Sequence, residues 1–382
     1  MPVANSLGEI SRSIRPGQVA HTLAAIEGNW PAGAPPLPEI IGDFPLGANA
    51  LFHLLSVSSI CGARLVQQPE ILLWLAKPET CADRRGYGRM LTDLHNLAGR
   101  EAVATNNFRI LRRWKGREMV RIALREVAGA APLEETILEL SQLADICLTK
   151  VFDYWDETFR QRWGSPESKF AIIGLGKLGG RELNHSSDVD LIFVYSEEGQ
   201  LTAKFSYHEW FTRLGNKIIE TFAASDPVGS LFRVDLRLRP EGREGPLVRS
   251  LESMENYYAG FGEMWERLAL IKARWICGDR ELAYDFLRQL QPFVFPKSPT
   301  PDLLEEVAAI KNRIERDIVG FEERGRNVKL GVGGIREVEF VVQALQLLHA
   351  ARHPFLQEAG TLKAIRGLAE LEFLPNEAAG QL

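Results

Sequence analysis

The sequence predicts an α+β fold that is mostly helical, with a small sheet set between an N-terminal helical region and a C-terminal helical bundle. Three observations carry this. The stretch KFAIIGLGKLGGRELNHSSDVDLIFVY, from Lys169 to Tyr195, reads as strand, glycine-rich turn, short connection, strand. The stretch LFRVDLRLR, from Leu231 to Arg239, alternates apolar and charged residues as a strand does. Most of the remaining chain repeats its apolar residues at helical spacing.

Taken in order, residues 1–45 show little periodicity and contain Pro31, Pro35, Pro36, Pro38 and Pro45, which predicts a loosely organised lead with short helices. From Ala48 to Val127 helical spacing recurs, as in Phe108-Leu111-Trp114 and Met119-Ile122-Leu124. Leu133, Ile137, Leu140, Ala144, Cys147, Val151 and Trp155 form one stripe of a long helix over Pro132–Trp163. Pro132 suits its first turn and Gly164 its end. Three segments follow from this pattern: a helical region over 1–128, a catalytic core over 129–296 and a helical region over 297–382.

In the core, Phe170–Ile173 is a short apolar run that stops at Gly174. Gly174, Gly176, Gly179 and Gly180 free the backbone for a tight turn and for close approach of a ligand. The next strand opens with Asp188-Val189-Asp190. Side chains alternate along a strand, so Asp188 and Asp190 share one face, about 6.5 Å apart at Cα, while Val189, Leu191 and Phe193 take the other. Two carboxylates so placed suit divalent metal held against a polyphosphate. Ser206-x-x-Glu209 is a capping box for a helix carrying Tyr207, Phe211, Leu214, Ile218 and Phe222, stopped at Asp226-Pro227.

In Leu231–Arg239, alternation places Val234, Leu236 and Leu238 toward the core and Arg233, Asp235, Arg237 and Arg239 on the opposite face. Asp235 is then either a third catalytic carboxylate or an exposed acid balanced by arginines. Arg243 and Arg249, in and just beyond a Gly/Pro-rich turn, either contact phosphate or are solvated. A helix is expected over Glu252–Trp275, with Trp265, Leu268 and Ile271 in the core and Lys272 and Arg274 as ligand candidates. Pro296, Pro299 and Pro301 mark a linker. Helices are expected over Asp302–Phe321, Ile335–Ala350 and from Thr361. Arg336, Glu337 and Glu339 stand after the glycines of Gly331-Val332-Gly333-Gly334, as site residues or as ordinary first-turn charge.

Composition sets further bounds. The chain has 382 residues, 45% hydrophobic and 25% charged, and a formal net charge of −5. That places it among globular proteins and argues against a general nucleic-acid footprint. Cys61, Cys81, Cys147 and Cys277 are scattered without a CxxC pair, so neither a disulfide framework nor a zinc site is suggested. No basic-then-apolar leader and no membrane-length apolar run stands out, and the cytoplasm is the expected compartment, with no membrane partner.

Two glycine motifs are excluded. Gly174-x-Gly176-x-x-Gly179 matches the dinucleotide fingerprint in letters. Arg181–Ser187 is too short for the crossover helix that a parallel βαβ unit needs, at least about 10 residues. The phosphate-binding P-loop fails because Gly180 and Arg181 stand where Lys and Ser/Thr belong. A Gly-Gly turn followed shortly by Asp-x-Asp resembles the nucleotidyltransferase superfamily that includes DNA polymerase beta, which implies a mixed sheet.

Four blocks narrow the resemblance: GLGKLGGRELNHSSDVDLIF, FRVDLRLRPEGREGPLV, WERLALIKAR and KLGVGGIREVEFVVQ. In this order they resemble the glutamine synthetase adenylyltransferase/adenylyl-removing family, long chains with two related halves. The chain is similar to the N-terminal, adenylyl-removing half almost throughout, and is expected to be a truncated form because the second half is missing. The resemblance implies phosphorolysis of adenylyl-tyrosine on glutamine synthetase, yielding ADP. It implies Mg²⁺ held by Asp188, Asp190 and Asp235, the same three acting in catalysis. It further implies nucleotide or phosphate contacts from Gly179, Gly180, Ser187, Arg237, Arg239 and Arg243. The implied partners are glutamine synthetase, a PII signalling protein, ADP or ATP, and phosphate. ATP-dependent adenylylation and a PII-sensing regulatory module are the alternatives.

Overall fold

A computed structural model describes residues 14–99, 105–298, 303–318, 329 and 333–381, with backbone alone for 105–107 and 311–318. Pro299, Pro301, Asp302, Phe321, Gly331 and Val332 lie outside the described residues. The described chain is α+β and mostly helical, as the sequence predicts. It divides into two compact units. The first comprises 1–151, 183–187 and 220–232; the second comprises 152–182, 188–219 and 233–382. These units cut across the segments 1–128, 129–296 and 297–382, which stay a proposal.

The first unit holds α1 (Pro16–Gly28), α2 (Leu37–Gly42), α3 (Ala48–Val57), α4 (Ser59–Gln67), α5 (Glu70–Leu75), α6 (Pro78–Cys81), α7 (Tyr87–Ala98) and α8 (Thr105–Val127). The long α9 (Leu133–Trp163) belongs to it as far as Val151. Val19, Ile26, Leu51, Leu55, Leu65, Leu72 and Leu124 form its apolar core. Beside that core lies an ionic cluster that periodicity does not announce. The Arg121 guanidinium donates to Glu118 at 2.7 Å and to Glu139 at 2.6 Å, with all three side chains fully buried. Arg85 adds a backbone bond to Glu139 at 2.8 Å and an ion pair to Glu118 at 3.3 Å. Burial alone would lower the pKa of Arg121, but Glu118 and Glu139 outweigh it and hold the group firmly charged.

The second unit is built on a five-stranded mixed sheet. In chain order it contains β1 (Phe170–Leu175), α10 (Gly176–Gly179), β2 (Val189–Tyr195), the hairpin β3 (Gln200–Thr202) and β4 (Phe205–Ser206), and α11 (Tyr207–Ala223), whose last turn passes into the first unit. The small ribbon β5 (Ser225–Asp226) and β6 (Gly229–Ser230) belongs to the first unit. Then come β7 (Val234–Asp235), β8 (Val248–Ser250), α12 (Leu251–Gly260), α13 (Met264–Leu270), β9 (Arg274–Gly278) and α14 (Arg280–Val294). The chain closes with α15 (Leu303–Ile318), α16 (Ile335–His349), α17 (Thr361–Glu370) and α18 (Asn376–Gln381).

The sheet order is β7-β2-β1-β9, with β8 also on β2. β1 runs antiparallel to β2 and β9, whereas β7 and β8 run parallel to β2. An antiparallel β1–β2 pair needs no crossover helix, which is why a short connection suffices and the dinucleotide motif is excluded. Both faces of the pair are covered. Ala171, Ile173, Ile192 and Val194 pack with Phe286 and Leu290 of α14, while Phe170 stacks on Phe211 of α11 at 5.2 Å and lies 5.7 Å from Phe193. Two buried faces explain runs that are apolar throughout rather than alternating. The expected capping box forms: Ser206 N–H donates to Glu209 at 3.0 Å, and Glu209 N–H to Ser206 Oγ at 3.1 Å.

Two expectations are corrected. The strand expected to Arg239 ends at Asp235, because Arg237 N–H donates to Asp235 Oδ1 at 2.8 Å and turns the chain. The helix expected over Glu252–Trp275 is α12 and α13, after which residues 274–278 pair with β1. Among the described residues no single helix is long and apolar enough to cross a membrane.

Replacing Arg121 with Met should leave Glu118 and Glu139 buried without their main counter-charge. The expected loss of unfolding free energy in urea denaturation is about 3–5 kcal/mol, against a shift near zero if the cluster is energetically idle.

Candidate active site

The strand order brings the three acids together. Asp190 on β2 stands opposite Asp235 on β7 in parallel register, and Asp188 precedes β2 by one residue. Across β2, Asp190 also stands opposite Leu175, the last residue before the glycine turn. Gly176 then takes φ +53°, and a Cβ there would lie 2.4 Å from Asp190 Oδ2. The glycine leaves the room in which the Asp190 carboxylate rests.

Each outer acid holds an arginine. Arg233 Nε donates to Asp188 Oδ1 at 2.6 Å. Arg237 grips Asp235, its Nε 2.8 Å from Oδ2 and 3.0 Å from Oδ1. The arginines are well exposed, at 79% and 61%, so both pairs are open to exchange with an incoming ligand. Burial would raise the pKa of Asp235, yet the hydrogen bonds and charge of Arg237, with Arg243 behind them, hold it below the usual carboxylate range. Asp190 goes the other way. Burial, then the charges of Asp235 and Asp188, push its pKa up to about 7, against weaker pulls from Lys329 and Arg237.

That crowding is what a hard divalent cation relieves, and a few carboxylates plus phosphate oxygens are the donors Mg²⁺ prefers. The donor set fits the ion in its chemistry. Among the described residues no group of three or more His, Cys, Asp or Glu stands arranged to hold a metal.

The other expected residues fall in different places. Arg243 is exposed and acts on Asp235 by charge. Arg239 does not share the face of Asp235. Beyond the end of β7 it folds back, its guanidinium donating to the carbonyls of Leu236, Arg243, Gly245 and Pro246. Arg249 is likewise engaged, with Glu241, Ser253 at 3.0 Å and the Tyr257 ring. The Ser187 hydroxyl donates to Asn184 Oδ1 at 2.7 Å within its own turn. Gly179 and Gly180 do make room for close approach, but the space is filled by protein: a Cβ on Gly179 would meet the Lys272 carbonyl at 1.9 Å, and one on Gly180 the Ala359 carbonyl at 2.9 Å.

A cleft of about 200 Å³ adjoins this turn, its lining including Gly176, Leu238, Trp265, Leu268, Lys272, Phe340 and Gln343. Arg336 and Glu339 also border it, whereas Glu337 accepts from Gly333 N–H at 2.7 Å. Leu268 is buried in the core as expected, while the cleft it shares with Trp265 was not foreseen, because the walls come from five separate segments.

A glycine turn, a strand with one acid in it and another just before it, and a third acid on the parallel neighbour fit the nucleotidyltransferase class expected from the sequence. Residues 48–289 match the family model for glutamate-ammonia ligase adenylyltransferase, and the chain belongs to that family. Residues 308–382 match the model for GlnD PII-uridylyltransferase. Similar curated proteins bear the name bifunctional glutamine synthetase adenylyltransferase/adenylyl-removing enzyme. The protein from Thioalkalivibrio sulfidiphilus is 39% identical over 345 residues, covering 87% of this chain and 35% of the relative. That from Nitrosococcus oceani is 41% identical over 286 residues, 72% of this chain and 29% of the relative. That from Pseudomonas aeruginosa is 36% identical over 394 residues, covering 100% of this chain and 38% of the relative. The chain thus spans well under half the length of these relatives.

Asp190→Asn should raise the melting temperature of the metal-free chain. A carboxyl with a raised folded pKa contributes stability below its unfolded pKa of 3.8 that is lost as pH rises through about 7. The variant should therefore gain about 2–4 °C in mildly alkaline buffer, and the gain should shrink as the buffer is acidified; circular dichroism melts at several pH values measure it.

Proposed function

We propose that this chain removes AMP from adenylyl-tyrosine of glutamine synthetase by phosphorolysis, releasing ADP. The observation that carries the reading is the pairing of Asp190 with Asp235 on parallel neighbours, beside Asp188 and with Arg237 and Arg243 at Asp235. An oxygen of hydrogen phosphate forms the new bond to the α-phosphorus, the bond to the tyrosine oxygen breaks, and the phosphate proton passes to the tyrosine oxygen. Such transfers ask chiefly for positioning and charge neutralisation. Asp188, Asp190 and Asp235 would hold Mg²⁺, which would supply charge neutralisation at the phosphate oxygens.

The protein's own groups do the rest. Arg237 and Arg243 would bind the attacking phosphate, Arg237 exchanging its two-point hold on Asp235 for phosphate oxygens, which a guanidinium matches equally well. Arg239, spent on four carbonyls, would shape the loop that carries Arg243. The cleft beside Gly176 would take the nucleobase between Trp265 and Phe340, a size and lining that suit a flat heteroaromatic ring. Gly179 and Gly180 would set the turn that faces the nucleotide phosphates, and Ser187 would offer its hydroxyl to them.

The preference for removal over attachment rests on the likeness of the sequence blocks to the removing half. The match of residues 308–382 to a PII-uridylyltransferase model supports a PII signalling protein as regulatory partner. Glutamine synthetase is the proposed protein substrate, ADP or ATP the nucleotide and the cytoplasm the compartment. Incubation with adenylylated glutamine synthetase, Mg²⁺ and phosphate should release ADP; incorporation of AMP from ATP with no phosphorolysis would sink the removing assignment.

Asp188→Asn and Asp235→Asn should each lower the ADP-release rate by about 100-fold or more while the fold persists. Arg237→Gln should raise the phosphate concentration for half-maximal rate more than it changes affinity for the adenylylated protein. A phosphate titration of each variant, alongside its melting curve, separates these effects from unfolding.

A further inference from the structure

Lys272 reads in sequence as a basic residue available to a ligand, but its surroundings leave it none to spare. The side chain is 5% exposed, and its ammonium donates to Glu339 Oε1 at 2.7 Å, Thr361 Oγ1 at 2.9 Å and Glu182 Oε2 at 3.0 Å. An ammonium has three protons, so each one has a partner. The partners close on each other: Thr361 Oγ1 donates to Glu182 Oε2 at 3.0 Å, and Leu362 N–H donates to Glu182 Oε1 at 3.3 Å. Burial disfavours charge on Lys272, but Glu339 and Glu182 more than compensate and raise its pKa; in return Lys272 helps hold Glu339 below its usual range despite burial.

The three partners come from distant parts of the chain. Glu182 follows the glycine turn directly, Glu339 lies in the first turns of α16, and Thr361 opens α17. Glu182 thus lies at the N-terminus of a ten-residue helix, where a carboxylate is favoured. The backbone repeats the junction. The Lys272 carbonyl fills the space that Gly179 leaves, the Ala359 carbonyl sits against Gly180, and Arg274 donates to the carbonyls of Leu178 at 2.9 Å and Gly179 at 3.2 Å. Meanwhile α16 supplies Glu339, Phe340 and Gln343 to the cleft that Gly176 and Leu238 also line.

We propose that Lys272 is a positioning residue which, by binding Glu182, Glu339 and Thr361 together, makes nucleotide affinity at the glycine turn depend on the seating of α16 and α17. The inference rests on the reading of the cleft as a nucleotide site. It assigns these helices, which lie in the segment matched by a second family model, the role of an adjustable wall. Displacing α17 from Glu182 releases the turn; displacing α16 removes Phe340 and Gln343 from the base.

The test uses the full chain and Mg·ADP as probe. Calorimetric titration yields affinity and stoichiometry, so a fraction that fails to fold lowers the stoichiometry and leaves the affinity of the folded fraction readable. Thr361→Val keeps the shape of the side chain and removes the hydroxyl; it should weaken Mg·ADP binding about fivefold, the worth of one hydrogen bond, at near-normal stoichiometry. Lys272→Met should weaken binding more, with Lys272→Arg recovering part of the loss. Amide exchange on Thr361→Val, without nucleotide, should quicken at residues 177–182. Unchanged affinity in Thr361→Val, whose side chain does not line the cleft, would overturn the proposal whatever Lys272→Met does, since Lys272 itself borders the cleft. If the unaltered chain binds no Mg·ADP, the nucleotide reading fails, and the exchange measurement decides the junction by itself: unaltered exchange at 177–182 would overturn it.

Discussion

The site depends on one constraint: three carboxylates are held close by backbone that has no freedom to separate them. Asp190 is fixed by β2 between β1 and β7, Asp235 is its register partner, and Asp188 is two residues away on the same chain. The two buried faces of the β1–β2 pair prevent the strands from drifting apart to relieve the repulsion. The raised proton affinity of Asp190 reflects its burial first and the nearby charges of Asp235 and Asp188 second. Arg233 and Arg237 offset part of the repulsion at the rim, and both are exposed enough to give way to a ligand. Perturbed carboxylates gathered in this way are a common mark of a functional site.

Much of this was legible in the sequence because it is local. Apolar runs around a glycine turn gave β1 and β2, and Ser206 with Glu209 gave the start of α11. Alternation along a strand singled out Asp190 and Asp235, which stand in register, whereas Asp188, expected on the same strand face as Asp190, lies one residue before β2. The same rule failed past Asp235: the carboxylate accepts from Arg237 N–H and ends the strand, so Arg239 turns away to the carbonyls of its own loop. β9 was missed for a different reason. RWICG follows a helical pattern without a turn signal, and it is a strand because β1 has an open edge to fill.

The glycines teach a further distinction. Gly176 makes room for Asp190, but the space beside Gly179 and Gly180 is taken by two backbone carbonyls from residues far along the chain. Sequence reveals that a close approach is needed there and leaves open what approaches. The Lys272 junction was hidden for the same reason, since its partners stand at positions 182, 339 and 361. In the first unit, the buried Arg121 cluster draws on residues from 85 to 139 and interrupts the apolar periodicity from which core is usually read.

The central claim is that these acids serve attack by phosphate on an α-phosphorus. It is tested most directly by supplying inorganic phosphate labelled with ¹⁸O at every oxygen, together with adenylylated glutamine synthetase and Mg²⁺, and recovering the nucleotide for mass analysis. Attack at the α-phosphorus predicts ADP that carries all four labelled oxygens, including the one bridging its two phosphorus atoms. Recovery of unlabelled AMP, or of ADP that has lost a labelled oxygen, would contradict it.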